Sequence, residues 1–273
     1  MRYNNYSVLM CVYYKENPKN LSEAIESVLV QTLLTNDFVI VCDGPLTKEL
    51  DEVLNRYQSK YKEINVVRLE KNSGVGAASQ FGLQFIKNEV FAKMDSDDVC
   101  FDTRMEKELN CINSGYDVVG AGIAEFIDDK SNVVGIRMPP ENHDDIVKFS
   151  KKRNPVNNVT IMYKKSDVIK AGGYLNANFL EDYTLDIKLI LNNCVFYNIQ
   201  EPLVYVRTDQ GQLKRRGDKR LRKGFKKLRK MMLKEKYITR FEYLKYSFEG
   251  FVFMIMPNFI KKYLYKKFLR RKK

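Results

Sequence analysis

The sequence is poor in histidine and tryptophan: His143 is its single histidine, and it has no tryptophan. One histidine in a polar run argues against histidine-based triads and histidine-rich metal sites, and we give His143 no role. The five cysteines are an odd number without a CxxC pair, which indicates reduced thiols in a cytosolic protein rather than disulfides or a zinc site. No apolar run approaches the ~20 residues of a membrane-spanning helix, and the polar first residues do not form a secretory signal.

The net charge of +13 is unevenly distributed along the 273 residues. Residues 211–273 hold 23 lysines and arginines against 4 acidic residues, whereas residues 1–210 hold 24 against 30. A mildly acidic body therefore precedes a strongly basic tail. Such an asymmetry indicates a polyanionic partner, either nucleic acid or an anionic membrane surface.

Strand and helix patterns alternate in the first half of the chain. Short apolar runs predict buried strands over residues 7–12, 38–42, 64–69 and 90–94. Helical patterns separate them: one begins at Pro18, one spans roughly Thr47 to Tyr61, and one runs from after Gly74 to about Ile86. This alternation with short links predicts a parallel sheet that helices cover on both faces.

The pattern changes after residue 98. We expect strands over residues 116–121, 159–163, 195–199 and 203–206, a hairpin formed by 123–127 and 133–136, and helices before Gly172 and over 182–191. From Leu213 onward the composition predicts basic helices. Four apolar tail residues fall at helical spacing: Leu221, Phe225, Leu228 and Met232.

One acidic stretch, Asp95-Ser96-Asp97-Asp98, directly follows the fourth predicted strand. Side chains alternate in extended chain, so we expect Asp95 and Asp97 to face the same way and Asp98 either to face away or to turn off the strand. Two hard oxygen donors at the carboxyl end of a strand suit Mg²⁺ or Mn²⁺ holding a diphosphate, and open α/β sheets bind ligands at that end. An acidic turn without a ligand is the alternative.

A series of short motifs in a fixed order makes the chain resemble the family 2 glycosyltransferases with the GT-A fold. The motifs lie within residues 7–13, 24–32, 41–44, 72–78, 94–98, 172–174 and 181–183. The resemblance covers roughly residues 6–210, and it is closest to bacterial enzymes that build O-antigen, capsule or exopolysaccharide. Residues 164–174 and the triplet Arg215-Arg216-Gly217 are similar to that subgroup.

The resemblance implies an α/β fold of the GT-A type, a mostly parallel sheet flanked by helices, with a basic helical C-terminal extension. The catalytic domain would span residues 1–210. Its nucleotide-binding half would be 1–98 and its acceptor-side half 99–210. Residues 211–273 would form the basic amphipathic helical tail.

On the donor side, the resemblance implies a UDP-sugar and a divalent cation, Mn²⁺ or Mg²⁺, bound by Asp97 and Asp95. Asp43 would accept the uracil N–H. Tyr13 would stack on the base, although a half-buried aromatic side chain explains Tyr13 equally well. The other donor-binding residues that the motifs imply are Asn72, Gly74 and Ser96. The glycine would allow close approach of the backbone to the donor, with simple turn chemistry as the alternative.

On the acceptor side, the resemblance implies inversion at the anomeric carbon, which requires a base on the face opposite the leaving group. Asp182 would be this base, with Glu181 beside it as an acceptor contact. The residues alone favour a simpler explanation, in which an acid at a helix start caps free N–H groups and complements the helix dipole.

Three positions depart from the family pattern. Cys11 stands where the family often has proline, Cys42 where it often has aspartate, and Ser79 near the place of a frequent arginine. The departure at Cys42 leaves Asp43 as the only acid at the end of the second strand. It affects the details of the nucleotide contact rather than the class of enzyme.

The basic tail predicts where the protein works. Basic amphipathic helices lie in the interface of anionic membranes, and this suits an acceptor built on polyprenyl diphosphate at the inner face of the plasma membrane. We expect a cytoplasmic protein that associates peripherally with that face. Alternatively, the apolar stripe of the tail packs on the catalytic domain, and both arrangements can hold, with 218–240 docked and 245–273 on lipid.

Two other functions compete with this interpretation. The basic tail is compatible with a nucleic-acid-binding protein, but the basic residues are confined to the tail and no nucleic-acid module is recognised, so we expect no nucleic-acid partner. A sugar nucleotidyltransferase would share the α/β layout and the acidic metal site. Against it, no glycine-rich triphosphate loop with lysine or arginine lies near the N-terminus.

Overall fold

A mixed sheet forms the centre of the computed structural model, which describes residues 2–174, 180–208 and 219–255. Its strands are β1 (Ser7–Val12), β2 (Asp37–Cys42), β3 (Ile64–Arg68), β4 (Val90–Asp95), β5 (Val99–Cys100), β6 (Val118–Ile127), β7 (Asp129–Arg137), β8 (Met162–Lys164) and β9 (Phe196–Arg207). The helices are α1 (Pro18–Leu29), α2 (Lys48–Lys60), α3 (Val75–Gly82), α4 (Arg104–Asn113), α5 (His143–Ser150), α6 (Lys165–Lys170), α7 (Glu181–Leu191), α8 (Lys219–Lys234) and α9 (Arg240–Ile255).

The first half of the chain forms the parallel part of the sheet, as predicted. The strands lie in the order β3-β2-β1-β4, and each neighbouring pair is parallel. The apolar runs of β1, β2 and β4 are almost wholly buried, which is expected for parallel strands covered on both faces. The helix starts follow their capping signals: Asn17 Oδ1 accepts from Lys19 N at 2.9 Å, and Thr47 caps α2.

The second half extends the sheet as β8-β6-β9-β5 beyond β4. β6 and β9 are parallel, whereas β8 joins β4 and β6 in antiparallel fashion. The hairpin predicted around residues 128–132 is confirmed as β6 and β7. The fold is therefore the predicted α/β architecture, with a parallel core in the first half of the chain and antiparallel additions in the second.

Two predicted breaks in the strands are wrong. β6 runs through Gly122 and β9 runs through Pro202, because these two residues face each other at a shift in register between the strands. A side chain at Gly122 would meet Met138 Sδ at 2.2 Å and Glu201 O at 2.9 Å. Glycine and proline, which suggested loops in the sequence, here mark a bulge within paired strands.

Other boundaries also differ from the prediction. α3 ends at Gly82 rather than near Ile86. The strand expected over 159–163 is instead a short 3₁₀ turn, Asn158–Thr160, followed by β8. The helix expected before Gly172 is the short α6.

The apolar stripe of the tail packs on the catalytic domain. Leu228 and Met232 of α8, with Ile238, are buried against Tyr183 and Ile187 of α7. Of the two arrangements that the sequence left open for the tail, packing of its apolar stripe on the rest of the protein therefore holds for α8. The triplet 215–217 and the basic segment 261–273 lie outside the described residues. Within the described part of the chain, every helix is too short or too polar to cross a membrane.

Candidate active site

The predicted donor-side residues gather at one edge of the sheet. β1, β2 and β4 are parallel and in register there, with Cys11 beside both Val41 and Asp95. Tyr13 and Asp43 follow the ends of β1 and β2, so both lie at the edge where Asp95 ends β4. This is the edge at which α/β sheets bind ligands, as the sequence predicted.

The acidic turn after β4 brings three carboxylates together. Oxygen atoms of Asp95, Asp97 and Asp98 all lie within 4.8 Å of one another. Of the two expected arrangements for Asp98, the second holds: the chain turns after Asp95 instead of continuing as a strand, which brings Asp98 to the other two carboxylates. Asp98 Oδ1 accepts a hydrogen bond from Arg207 N at 2.9 Å, which fixes it against the end of β9.

The carboxylates of this turn are crowded with negative charge. Burial, then the charges of Asp95 and Glu16, raise the pKa of Asp97 to about 7. Burial also raises the pKa of Asp95, which the Lys93 and Arg104 cations oppose. A cluster of hard oxygen donors whose pKa values are raised by mutual repulsion and burial fits a divalent cation, which would offset those charges.

Arg207 anchors the acidic turn from the end of β9. Its Nε donates to Asp97 O at 3.1 Å and its Nη2 donates to Glu23 Oε2 at 2.7 Å. The guanidinium also lies 4.8 Å from the centre of the Phe126 ring. Ser96 Oγ donates to Glu16 Oε2 at 2.7 Å, so Ser96 ties the turn to the loop after β1.

Asp43 organises the loop that precedes α3. Its carboxylate accepts hydrogen bonds from Ser73 N at 2.7 Å and Gly74 N at 3.0 Å, and its carbonyl oxygen accepts from Asn72 Nδ2 at 3.1 Å. Gly74 has φ of +89°, a backbone conformation that favours glycine. Asp43, Asn72 and Gly74 therefore form one unit, and their contacts with a nucleotide remain a prediction.

The loop that carries the donor residues touches the helix that carries Asp182. A methyl group built on Gly76, at the start of α3, would lie 2.4 Å from Cγ of Glu181. One turn further along α3, Gln80 Oε1 accepts a hydrogen bond from Tyr174 N at 2.8 Å. α3 thus packs against both motifs that the sequence assigned to the acceptor side, 172–174 and 181–183.

Asp182 lies in the first turn of α7, close to the acidic turn after β4. Burial raises the pKa of Asp182 to about 6; the Lys93 ammonium opposes this shift, and the Asp95 and Glu181 charges add to it. The structure therefore brings Asp182 within electrostatic reach of Asp95. A carboxyl group with a raised pKa beside a charged cleft has the properties of a proton acceptor.

Lys93 is a site residue that sequence analysis missed. It lies on β4, is almost fully buried, and its Nζ donates to Ser79 Oγ at 2.8 Å. The same Nζ lies 5.6 Å from the centre of the Tyr174 ring. A buried lysine needs nearby anions, and Asp95 and Asp182 supply them. The signal that could have found Lys93 was Ser79, which stands near the position of an arginine that is frequent in the family. In this chain the positive charge beside Ser79 comes from Lys93 of β4 instead.

Tyr13 stays accessible at the same edge, with 39% of its surface exposed. Its ring meets the Tyr14 ring edge-on, with centroids 5.8 Å apart. At this exposure the side chain is still partly covered, so stacking on a base remains a prediction and the simpler explanation stays open.

Comparison with known proteins decides the class. Residues 7–183 match the family described as glycosyl transferase family 2. The chain belongs to this family. The protein is accordingly a glycosyltransferase, and a nucleic-acid-binding protein or a nucleotidyltransferase is less well supported.

Two curated relatives are bacterial glycosyltransferases. The first, from Escherichia coli, is named UDP-Gal:alpha-D-GlcNAc-diphosphoundecaprenol beta-1,3-galactosyltransferase; it is 32% identical over 268 residues, which cover 97% of each chain. The second, an amylovoran biosynthesis glycosyltransferase of Erwinia amylovora, is 35% identical over 215 residues, which cover 78% of this chain and 80% of the relative. The family therefore includes enzymes of surface polysaccharide synthesis among its close members.

The solved structures confirm the GT-A fold. TarS of S. aureus, residues 1–349 in complex with UDP, superposes with a TM-score of 0.65 at 16% identity, covering 97% of this chain and 75% of that one. The chain spans 44% of a longer TarS structure. A likeness at this identity shows the fold, and the predicted α/β architecture is confirmed.

Proposed function

We propose that the protein is an inverting glycosyltransferase that moves a sugar from a UDP-sugar to a hydroxyl of a saccharide on polyprenyl diphosphate. The observation that carries this proposal is that Asp95, at the donor end of β4, and Asp182, on α7, share one electrostatic environment. A donor held at the first and an acceptor hydroxyl at the second can therefore meet. The activity for which the E. coli relative is named and the UDP complex of TarS support the substrate classes.

The donor would lie at the edge formed by β1, β2 and β4. Tyr13 would stack on the uracil and Asp43 would accept its N–H, while Asn72, Gly74 and Ser96 shape the surrounding loops. Asp97 and Asp95 would hold the cation, Mg²⁺ or Mn²⁺. When bound, it would supply positive charge against the negative charge that develops on the leaving diphosphate.

Asp182 would act as the base for the acceptor. Its carboxylate takes the proton of the hydroxyl, whose oxygen forms a bond to the anomeric carbon. The bond from that carbon to the phosphate oxygen breaks, and its electron pair leaves with UDP. A pKa of about 6 keeps Asp182 ionised at neutral pH and makes it a stronger base than an ordinary aspartate. Glu181, beside it, would contact the acceptor.

UDP release tests this proposal. A panel of UDP-sugars would be incubated with Mn²⁺ and GlcNAc-diphosphate-decyl as acceptor, and the product would be examined by NMR. We expect UDP release that depends on the acceptor, with the configuration of the anomeric carbon inverted. Retention of configuration, or no acceptor-dependent UDP release with any donor, would contradict the proposal.

The outer face of α9 supports membrane association, which we include in the proposal. Phe241, Leu244, Phe248 and Phe251 fall on one side of α9 and are exposed, Phe241 to 74%. The neighbouring α8 exposes lysines and arginines. The sequence of residues 256–273 contains 8 lysines and arginines and no acidic residue. Exposed apolar side chains flanked by positive charge fit the headgroup region of an anionic membrane. A protein held there would work at the cytoplasmic face, where a polyprenyl-linked acceptor is accessible.

A further inference from the structure

A pocket of about 180 Å³ opens beside Asp182. Lys152, Arg153 and Asn154 line one wall, from the turn that follows α5. Asp182 and Tyr183 of α7 line another, together with Phe225 of α8. The pocket therefore joins the proposed base to two adjacent cations and to the tail.

We propose that this pocket binds the first sugar of the acceptor and that Lys152 and Arg153 bind the diphosphate that joins this sugar to its lipid. The inference rests on the proposed function and deepens it. It also restricts the substrate class, because the cations and Asp182 line the same small pocket. One sugar ring spans such a pocket, whereas a longer saccharide would carry its diphosphate out of it. The acceptor would be a monosaccharide on a diphosphate lipid.

The chemistry of the walls suits a sugar and its phosphates. The Tyr183 and Phe225 rings meet edge-on with centroids 6.4 Å apart, and they offer an apolar surface to the carbon face of a sugar. The Tyr183 hydroxyl donates to Ser150 O, so this side chain presents its ring rather than its polar end. Arginine and lysine make charge-assisted hydrogen bonds to phosphate, and arginine can do so with two parallel bonds.

Lys152 and Arg153 differ from the preceding Lys151 in their exposure and in their contacts with α9. Lys151 is held by Glu242 of α9, with Nζ and Oε1 3.1 Å apart. Lys152 and Arg153 are exposed instead, and Lys152 Nζ lies 5.4 Å from the centre of the Tyr246 ring of α9. A structural explanation exists, since cations after a helix C-terminus complement its dipole. That explanation predicts an effect on stability, whereas the proposal predicts an effect on diphosphate binding.

The position of the pocket also fits a lipid-linked ligand. Phe225 belongs to α8, whose outward face carries Arg222, Lys223, Lys226 and Lys227. α9, with its exposed apolar stripe, packs on α8. A lipid chain that leaves a diphosphate at Lys152 and Arg153 would therefore start next to the two helices that we propose to lie on the membrane.

Titration with decyl diphosphate tests the inference. The full chain would first be saturated with UDP and Mn²⁺, so that the donor site is filled. We expect the double variant Lys152→Ala/Arg153→Ala to bind decyl diphosphate at least about tenfold more weakly than the wild type, with unchanged UDP affinity and thermal unfolding. The matched control Lys60→Ala/Lys62→Ala removes the same charge from the end of α2 and should bind like the wild type.

Transfer assays separate this inference from the proposed function. We expect the wild type to prefer GlcNAc-diphosphate-decyl over the decyl glycoside of GlcNAc, and the double variant to lose most of that preference. Wild-type transfer to both acceptors at equal rates, or a double variant that binds decyl diphosphate like the control, would overturn the inference and leave the proposed function intact. Absence of UDP binding and transfer in the wild type would instead overturn the proposed function.

Discussion

A methyl group built on Gly76 would lie 2.4 Å from Cγ of Glu181, so the first turns of α3 and α7 are in direct contact. Gly76 follows the loop that Asp43 organises, and Glu181 precedes the proposed base. The close contact requires the absence of a side chain at residue 76. The proposed donor and acceptor sides of the site therefore meet at this glycine.

The substitution Gly76→Ala should disturb catalysis through Glu181. Alanine fits the helical backbone of α3, but its methyl group must push Glu181 aside and shift Asp182 with it. We expect kcat to fall by about tenfold or more and the free energy of unfolding to fall by about 1–3 kcal/mol. Urea denaturation and initial rates measure both.

The double variant Gly76→Ala/Glu181→Ala is the control for this contact. Removing the Glu181 side chain relieves the overlap, so stability should return towards that of Glu181→Ala alone. Equal losses of stability with and without the Glu181 side chain would show that the cost arises elsewhere.

The raised pKa of Asp182 predicts the pH dependence of the rate. The base must be ionised, so kcat should rise with pH and level off above the pKa of about 6. If kcat instead stayed constant down to pH 5 and fell only below it, as expected for an exposed aspartate, this would argue against a buried Asp182 as the base. Rates measured from pH 5 to 8 at saturating acceptor decide between the two.

The same pKa predicts an effect on stability. Burial raises the pKa of Asp182 above its value in the unfolded chain, so the folded state binds the proton more tightly. This contribution to stability is complete below about pH 4 and is lost as the pH rises through about 6. Asp182→Asn should therefore have a free energy of unfolding about 1 kcal/mol higher than that of the wild type at pH 7.5. The difference should be smaller at pH 5, and thermal unfolding at the two pH values measures it. A variant less stable than the wild type at pH 7.5 would contradict this.

Arg207→Met should weaken metal-dependent donor binding. The Arg207 side chain holds the carbonyl oxygen of Asp97 and pairs with Glu23, so methionine removes both contacts while the backbone N–H of residue 207 still holds Asp98. The turn is loosened without the loss of a carboxylate. We expect the Mn²⁺ concentration for half-maximal UDP binding to rise by about 10-fold. Arg68→Met, which breaks the exposed 2.7 Å pair with Asp51, is the control and should leave it unchanged.

The apolar stripe of α9 should control membrane binding. We expect Phe241→Ser/Phe248→Ser to reduce flotation with vesicles of phosphatidylethanolamine and phosphatidylglycerol, because the stripe supplies the buried area at the interface. The control Val30→Ser/Leu34→Ser removes exposed apolar side chains after α1. Equal flotation of both variants and the wild type would show that the apolar stripe of α9 does not contribute to membrane binding.

The sequence predicted the parallel half of the fold well because local signals agree there. The strands of 7–12, 38–42 and 90–94 are short continuous apolar runs between turn signals, and their limits differ from the observed ones by a residue at most. The bulge that pairs Gly122 with Pro202 was missed, since it depends on two strands that are far apart in the chain.

The candidate site was predictable where a residue follows a strand, and less so where long-range contacts place it. Asp43 and Asp95 could be placed from strand ends. Arg207 and Lys93 could not, because their importance comes from the carboxylates that the fold brings to them. The sequence left two arrangements open for Asp98, because alternation holds only while the chain stays extended.

Parallel measurement of donor binding and transfer tests the central claim most directly. UDP affinity with Mn²⁺ would be measured by calorimetry, and transfer by UDP release, for the wild type, Asp97→Ala and Asp182→Asn. We predict that Asp182→Asn loses transfer by a factor on the order of 10² to 10⁴ and keeps UDP affinity within about twofold, whereas Asp97→Ala loses Mn²⁺-dependent UDP affinity. Near-normal transfer by Asp182→Asn, or Mn²⁺-dependent UDP binding that survives Asp97→Ala, would contradict the account.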